Sequence, residues 1–140
     1  MAFVAATGIV IVVSCVLMHY EGLSLLTAVL RRLTIRPRPR ILVMILTLLV
    51  LHVIEIWIFA LGNWGLTRDP AHGQLVGPYA LGLLDYVYYS AVCYTTLGLG
   101  DLHPIGDIRF MTGMEGLTGF MLIGWSVSFT YLEMDRFWRG

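Results

Sequence analysis

At 140 residues, 58% of them hydrophobic, and with a mean hydropathy of +0.80, the chain is too apolar for an average soluble domain and reads as an integral membrane protein. All nine basic residues are arginine and the formal net charge is zero, so nothing in the charge supports nucleic-acid binding. The two cysteines, Cys15 and Cys93, lie in apolar stretches and read as buried free thiols rather than as a disulfide.

The first predicted span begins near Phe3 and runs apolar to about Met18, with a weaker continuation through Leu30. No basic residue precedes it, which argues against a cleaved signal peptide. Residues 19–35, HYEGLSLLTAVLRRLTI, either prolong this helix or lie along the interface as an amphipathic elbow. Arg31, Arg32, Arg36, Arg38 and Arg40 cluster beyond it, which puts that linker in the cytoplasm and the N-terminus outside. Pro37 and Pro39 predict a stiff, non-helical connection. Residues 1–40 thus form a first unit, a membrane helix with a basic linker.

The second span is ILVMILTLLVLHVIEIWIFALG, residues 41–62, which satisfies the roughly 20 apolar residues a bilayer core requires. A polar loop follows, NWGLTRDPAHGQLVGPY, and then LGLLDYVYYSAVCYTT. In the latter, Asp85 is a candidate helix cap and the helical stretch, 83–95, is too short to cross. Residues 94–104 read YTTLGLGDLHP. Alternating glycines break a helix, and broken backbone is tolerated at membrane depth only where protein encloses it or it lines a water-filled path. A short helix followed by this stretch, between two full spans, predicts a re-entrant loop. Its glycine turns allow carbonyls to point one way, and rings of such carbonyls can replace a cation's hydration shell.

The third span runs from about Ile108 to Tyr131, within an inner helix drawn over 108–133, and returns to the cytoplasm beside Arg136 and Arg139. Residues 136–140 form a short tail. Glu55 and Glu115 lie roughly 10 Å deep at 1.5 Å per residue, and His52 sits one turn from Glu55. One reading makes these three a proton-sensitive cluster that tunes the glycine-rich stretch. A second has the acids hydrogen-bonded structurally to Tyr88, Tyr89 or Tyr94, and a third is a metal site. Gly113, Gly116, Gly119 and Gly124 read mainly as positions where helices approach closely. Trp64 and Trp138 fit an interfacial belt, and His72 and His103 fit water-facing loops.

Residues 95–101, TTLGLGD, resemble the selectivity-filter signature of potassium channels, usually Thr-Val-Gly-Tyr-Gly-Asp. The order of outer helix, pore helix, filter and inner helix over 41–135 is similar to the two-transmembrane pore module of bacterial channels, leaving residues 1–40 as an addition. The resemblance implies an all-α membrane protein with three transmembrane helices, closed as a homotetramer around a fourfold axis in the inner membrane. It implies that potassium is coordinated by Thr96, Leu97, Gly98 and Leu99, with Gly98 and Gly100 permitting the backbone angles. Thr95, Tyr88 and Tyr89 would surround the filter, Asp101 would sit at the outer mouth, and Gly119 falls where such channels carry a hinge glycine. Leu97 and Leu99 depart from the usual Val and Tyr. The missing tyrosine hydroxyl bears on discrimination against sodium, and the Leu variant is similar to filters of some two-pore-domain potassium channels.

Three functions follow: a passive potassium channel, a weakly selective monovalent cation channel, or a non-conducting accessory or sensor membrane protein. No Cys–His or Ser–His pairing points to an enzyme. No cofactor is implied beyond potassium ions in the filter, and the partners are further copies of the chain and the lipid bilayer.

Overall fold

The computed structural model describes residues 1–32 and 37–138, the side chains of 37, 38, 137 and 138 excepted. Arg36 and Arg139, and the side chains of Arg38 and Trp138, therefore lie outside the described residues. The chain is mostly helical: α1 spans Ala2–Arg32, α2 Pro37–Leu66, α3 Leu83–Tyr94 and α4 Ile108–Trp138. Two short strands, β1 (Gln74–Val76) and β2 (His103–Ile105), pair antiparallel on either side of α3.

α1 is one unbroken helix, so residues 19–32 prolong the span instead of forming a separate elbow. Its buried positions, Val4, Gly8, Cys15, His19, Leu23, Leu26 and Leu30, follow helical spacing along one stripe. Phe3, Ile9, Val10, Val13 and Leu17 on the other faces are apolar and exposed. A helix that buries one stripe and is apolar elsewhere is made for lipid. α2 repeats the pattern, with Leu42, Leu46, Leu49, Val50 and Val53 exposed. Both helices are long and apolar enough to cross a membrane. α4 has the same length as α1 but carries more charge.

Several boundaries differ from the sequence reading: α3 ends at Tyr94 rather than 95, and α4 runs to Trp138 rather than 133, taking in the start of the tail drawn over 136–140. α2 begins at Pro37 and ends at Leu66 rather than running 41–62, so Pro37 and Pro39 are helical. The first turn of a helix has N–H groups without intrahelical acceptors, and proline lacks only a group that would be unpaired there. At the other end, α2 absorbs Asn63 and Trp64, and Arg68 lies 4.0 Å over the Trp64 ring. α3 starts after Gly82, whose N–H donates to Asp85 Oδ2 at 2.7 Å, so Asp85 caps from the third helical position.

α1 packs on α2 and α4, and α3 is held between α2 and α4. The core is layered. Val4, Cys15, Phe59, Tyr94, Ile108, Met111 and Leu122 form one apolar cluster, and Leu23, Leu26, Leu30, Met44 and Leu48 form another. Between them in sequence, on each of α1, α2 and α4, stands a buried or half-buried polar side chain: His19, His52 with Glu55, and Ser126. A third cluster, Ala60, Leu75, Tyr86, Tyr89 and Leu102, seats α3 beneath the β pair. The pairing of Val76 with His103 and Gln74 with Ile105 ties the loop before α3 to the segment after the glycine-rich stretch.

Candidate functional site

Thr95 through Asp101 form a continuous exposed run, with Leu97 at 64% and Leu99 at 59% exposure. Three of its residues have positive φ: Thr96 (59°), Gly98 (60°) and Gly100 (79°). Leu97 and Leu99 between them do not, so the sign of φ alternates along the stretch. A β-branched residue at positive φ is a genuine outlier. Holding Thr96 there costs roughly 1–3 kcal/mol.

The hydrogen bonds at the end of α3 orient the carbonyls. Leu97 N–H and Gly98 N–H both donate to the Val92 carbonyl, at 3.0 and 3.3 Å, and Thr96 N–H donates to the Cys93 carbonyl at 3.0 Å. All peptide bonds are trans among the described residues. In a trans peptide the C=O points opposite to the N–H. With the N–H groups of Leu97 and Gly98 aimed back into α3, the carbonyls of Thr96 and Leu97 point away from it. The result is adjacent carbonyls facing one open side, where an extended strand would alternate them.

The far end of the stretch is tied to the same helix. Tyr88 donates its hydroxyl hydrogen to Asp101 Oδ2 at 2.8 Å. Leu99 has no hydroxyl to offer, and Tyr88 with Asp101 supplies a tether one helix turn before Val92. Tyr89 bonds Thr112 on α4, fixing α3 against that helix. Thr95 Oγ1 donates to the Ala91 carbonyl at 2.7 Å and closes the helix end.

The acids predicted to form one cluster with His52 separate into two. Glu115 accepts from Asn63 Nδ2 at 3.0 Å, and the same amide lies 3.4 Å from Ser90 Oγ. Its other carboxyl oxygen and Asn63 Oδ1 are buried without a hydrogen-bond partner. Glu55 instead meets His19 Nδ1 at 2.9 Å and His52 Nδ1 at 3.0 Å, and accepts from the Tyr94 hydroxyl. Both imidazoles reach Ser126 Oγ through Nε2, at 3.0 Å from His52 and 3.3 Å from His19. A metal set of His52, Glu55 and Glu115 is therefore not assembled; the compact group is His19, His52 and Glu55. His19, Asn63, Ser90 and Ser126 escaped the sequence reading, although each is a polar side chain in an apolar run. His72 is not a simple water-facing residue either, since its ring stacks on Phe3 at 5.1 Å.

Gly119 lies in an uninterrupted helix, where a Cβ would run into the Tyr94 carbonyl and come within 2.8 Å of the Tyr94 ring. It serves as the point at which α4 touches the end of α3. One turn earlier, Gly116 has ordinary clearance, with the Cys93 carbonyl 3.5 Å from where its Cβ would stand.

A protein-family model described as an ion channel matches residues 41–132. The match begins in α2, takes in α3 and the exposed stretch, and ends in α4, leaving α1 outside it. No curated protein and no solved structure matches the chain.

Proposed function

The chain belongs to the ion channel family, carrying one additional N-terminal membrane helix, and from that premise we propose that it conducts potassium ions passively as a homotetramer. The observation that carries this reading is the stretch Thr95–Asp101, with positive φ at Thr96, Gly98 and Gly100 and the carbonyls of Thr96 and Leu97 turned away from α3. In a single subunit the side of this stretch facing away from α3 is exposed. Four copies around an axis would enclose it and turn its carbonyls into rings that replace a cation's water. Thr96, Leu97, Gly98 and Leu99 coordinate in this reading. Thr95 and Gly100 complete the filter's ends, and Asp101 stands at the outer mouth. The C-terminal end of α3 adds partial negative charge on the same side.

In this arrangement α1, α2 and α4 each span the inner membrane, with the N-terminus outside and the arginines of the α1–α2 linker in the cytoplasm. A weakly selective monovalent cation channel is the second reading, favoured by the leucine at 99 where a hydroxyl would brace the ring. The Tyr88–Asp101 hydrogen bond supports the potassium reading, because it restrains the filter's outer end by another route.

Purified protein in potassium-loaded vesicles should release potassium without an added potassium carrier, and sodium-loaded vesicles should release far less. Equal release of both ions would establish the weakly selective channel, and release of neither would defeat conduction. Cross-linking in mild detergent should stop at four subunits. A protein that stays monomeric or dimeric under conditions supporting flux has no fourfold filter. Tyr88→Phe should lower the potassium-to-sodium permeability ratio about fivefold, since one hydrogen bond contributes about 1 kcal/mol. Reversal potentials in mixed gradients read this directly, and an unchanged ratio would mean that the tether does not set the ring's diameter.

A further inference from the structure

We propose that His19, His52 and Glu55 form a buried binding site for a single additional proton, and that its occupancy controls the conductive state of the filter through Tyr94. The second half rests on the conduction reading above; the first does not. The group has contributions from every long helix and the short one: His19 from α1, His52 and Glu55 from α2, Tyr94 from α3 and Ser126 from α4.

The hydrogens can be counted. Five contacts hold the network together: His19 Nδ1 and His52 Nδ1 to the Glu55 carboxyl, Tyr94 to the same carboxyl, and each histidine Nε2 to Ser126 Oγ. A sixth contact, His52 Nδ1 to the Tyr94 hydroxyl at 2.9 Å, needs no further hydrogen where it shares the one that this nitrogen gives to Glu55. Each of the five contacts needs one hydrogen. An ionised Glu55 brings none, and two neutral imidazoles, Tyr94 and Ser126 bring one each. That leaves one contact as two facing lone pairs. A single further proton completes the set and makes the group electrically neutral, with one imidazolium against one carboxylate.

The same distances argue against a metal ion between these ligands. Zinc holds nitrogen and oxygen ligands at about 2.0–2.1 Å, which puts neighbouring ligand atoms of a tetrahedron about 3.3 Å apart. The nitrogens here lie 2.9 and 3.0 Å from the carboxylate oxygens, the spacing of hydrogen bonds.

His19 and Glu55 are fully buried, and an uncompensated charge at such a place is costly in a membrane protein. Cys15 on α1 and Tyr94 on α3 face the same core, and Glu115 on α4, hydrogen-bonded to Asn63, acts on both through space. Losing the proton leaves a net negative charge and one broken contact, and gaining a second leaves a net positive charge. Either change alters the charge and the competing donors that the carboxylate presents to Tyr94. That residue immediately precedes Thr95, and its backbone carbonyl is wedged against Gly119. The N-terminal helix, which the family match does not include, thereby acquires a task at the filter.

Imidazole nitrogen NMR of histidine-labelled protein, assigned with His19→Gln and His52→Gln, should find one imidazolium shared by the two rings at neutral pH. Two neutral rings would overturn the proton site. Potassium flux should be bell-shaped in pH, falling roughly tenfold on each side of its maximum as the second proton binds and the first is lost. Glu55→Gln, which supplies its own donor and cannot ionise, should flatten the bell. A bell that survives in Glu55→Gln, or wild-type flux that ignores pH, would overturn the coupling alone. No flux at any pH with the proton still counted would overturn conduction and the coupling with it.

Discussion

Gly98→Ala is expected to abolish potassium flux from reconstituted vesicles while the protein still assembles. The reason is conformational and not steric, because a Cβ at Gly98 would meet nothing within 4 Å. Its φ of 60° is the left-handed region, where a residue with a Cβ is disfavoured by roughly 1–2 kcal/mol. Relief comes from turning φ negative, which swings the neighbouring peptide and moves its carbonyl out of line. In the proposed tetramer the strain and its relief occur in every subunit of one ring. Gly65→Ala is the control: it also has open space around the added Cβ, but lies in regular helix without a positive φ, and it should conduct normally. Flux comparable to wild type in Gly98→Ala would mean that this glycine does not shape a carbonyl filter. Leu99→Tyr, by contrast, should keep potassium flux and lower the sodium-to-potassium permeability ratio, since it returns a hydroxyl that can brace the ring.

Gly119→Ala should be the most damaging small substitution in α4. The new methyl would occupy the space of the Tyr94 carbonyl, and the Tyr94 ring blocks retreat at 2.8 Å. Overpacking of this kind costs about 1–3 kcal/mol even where neighbours can shift. Here the neighbour is fully buried backbone, held at its other end by the hydroxyl bond to Glu55. α4 must then move away from α3, and the thermal midpoint of the detergent-solubilised protein should fall by several degrees with loss of flux. Gly116→Ala adds the same methyl one turn away with a 3.5 Å clearance, and it should be close to neutral. If the two variants melt together, the α3–α4 contact at Gly119 is not limiting for stability.

The glycine-rich stretch was legible as broken backbone because its signal is local. Thr-Thr-Leu-Gly-Leu-Gly-Asp places glycines at alternate positions, and the backbone takes positive φ at both of them. That Thr96 joins the alternation could not be read from its residue type, which resists such an angle; the N–H bonds to Val92 and Cys93 impose it. The short helix before it was legible for the same local reason, and its observed end at Tyr94 falls one residue from the reading.

The amino-acid sequence alone determined the long apolar helices, the helix too short to cross and the interrupted backbone that follows it. Each depends on periodicity or residue type within a few turns. Tertiary structure alone decided which polar groups meet. Glu55 finds its partner 36 positions away in α1, and Ser126 reaches His19 across 107 positions. Glu115, at a depth similar to Glu55 by helix counting, is drawn instead to Asn63, whose amide also reaches Ser90. A buried polar side chain must find a partner, so the sequence can state the need; which partner answers it depends on how the helices pack. The same holds for β1 and β2, three residues each, which exist as strands only because the fold brings them side by side.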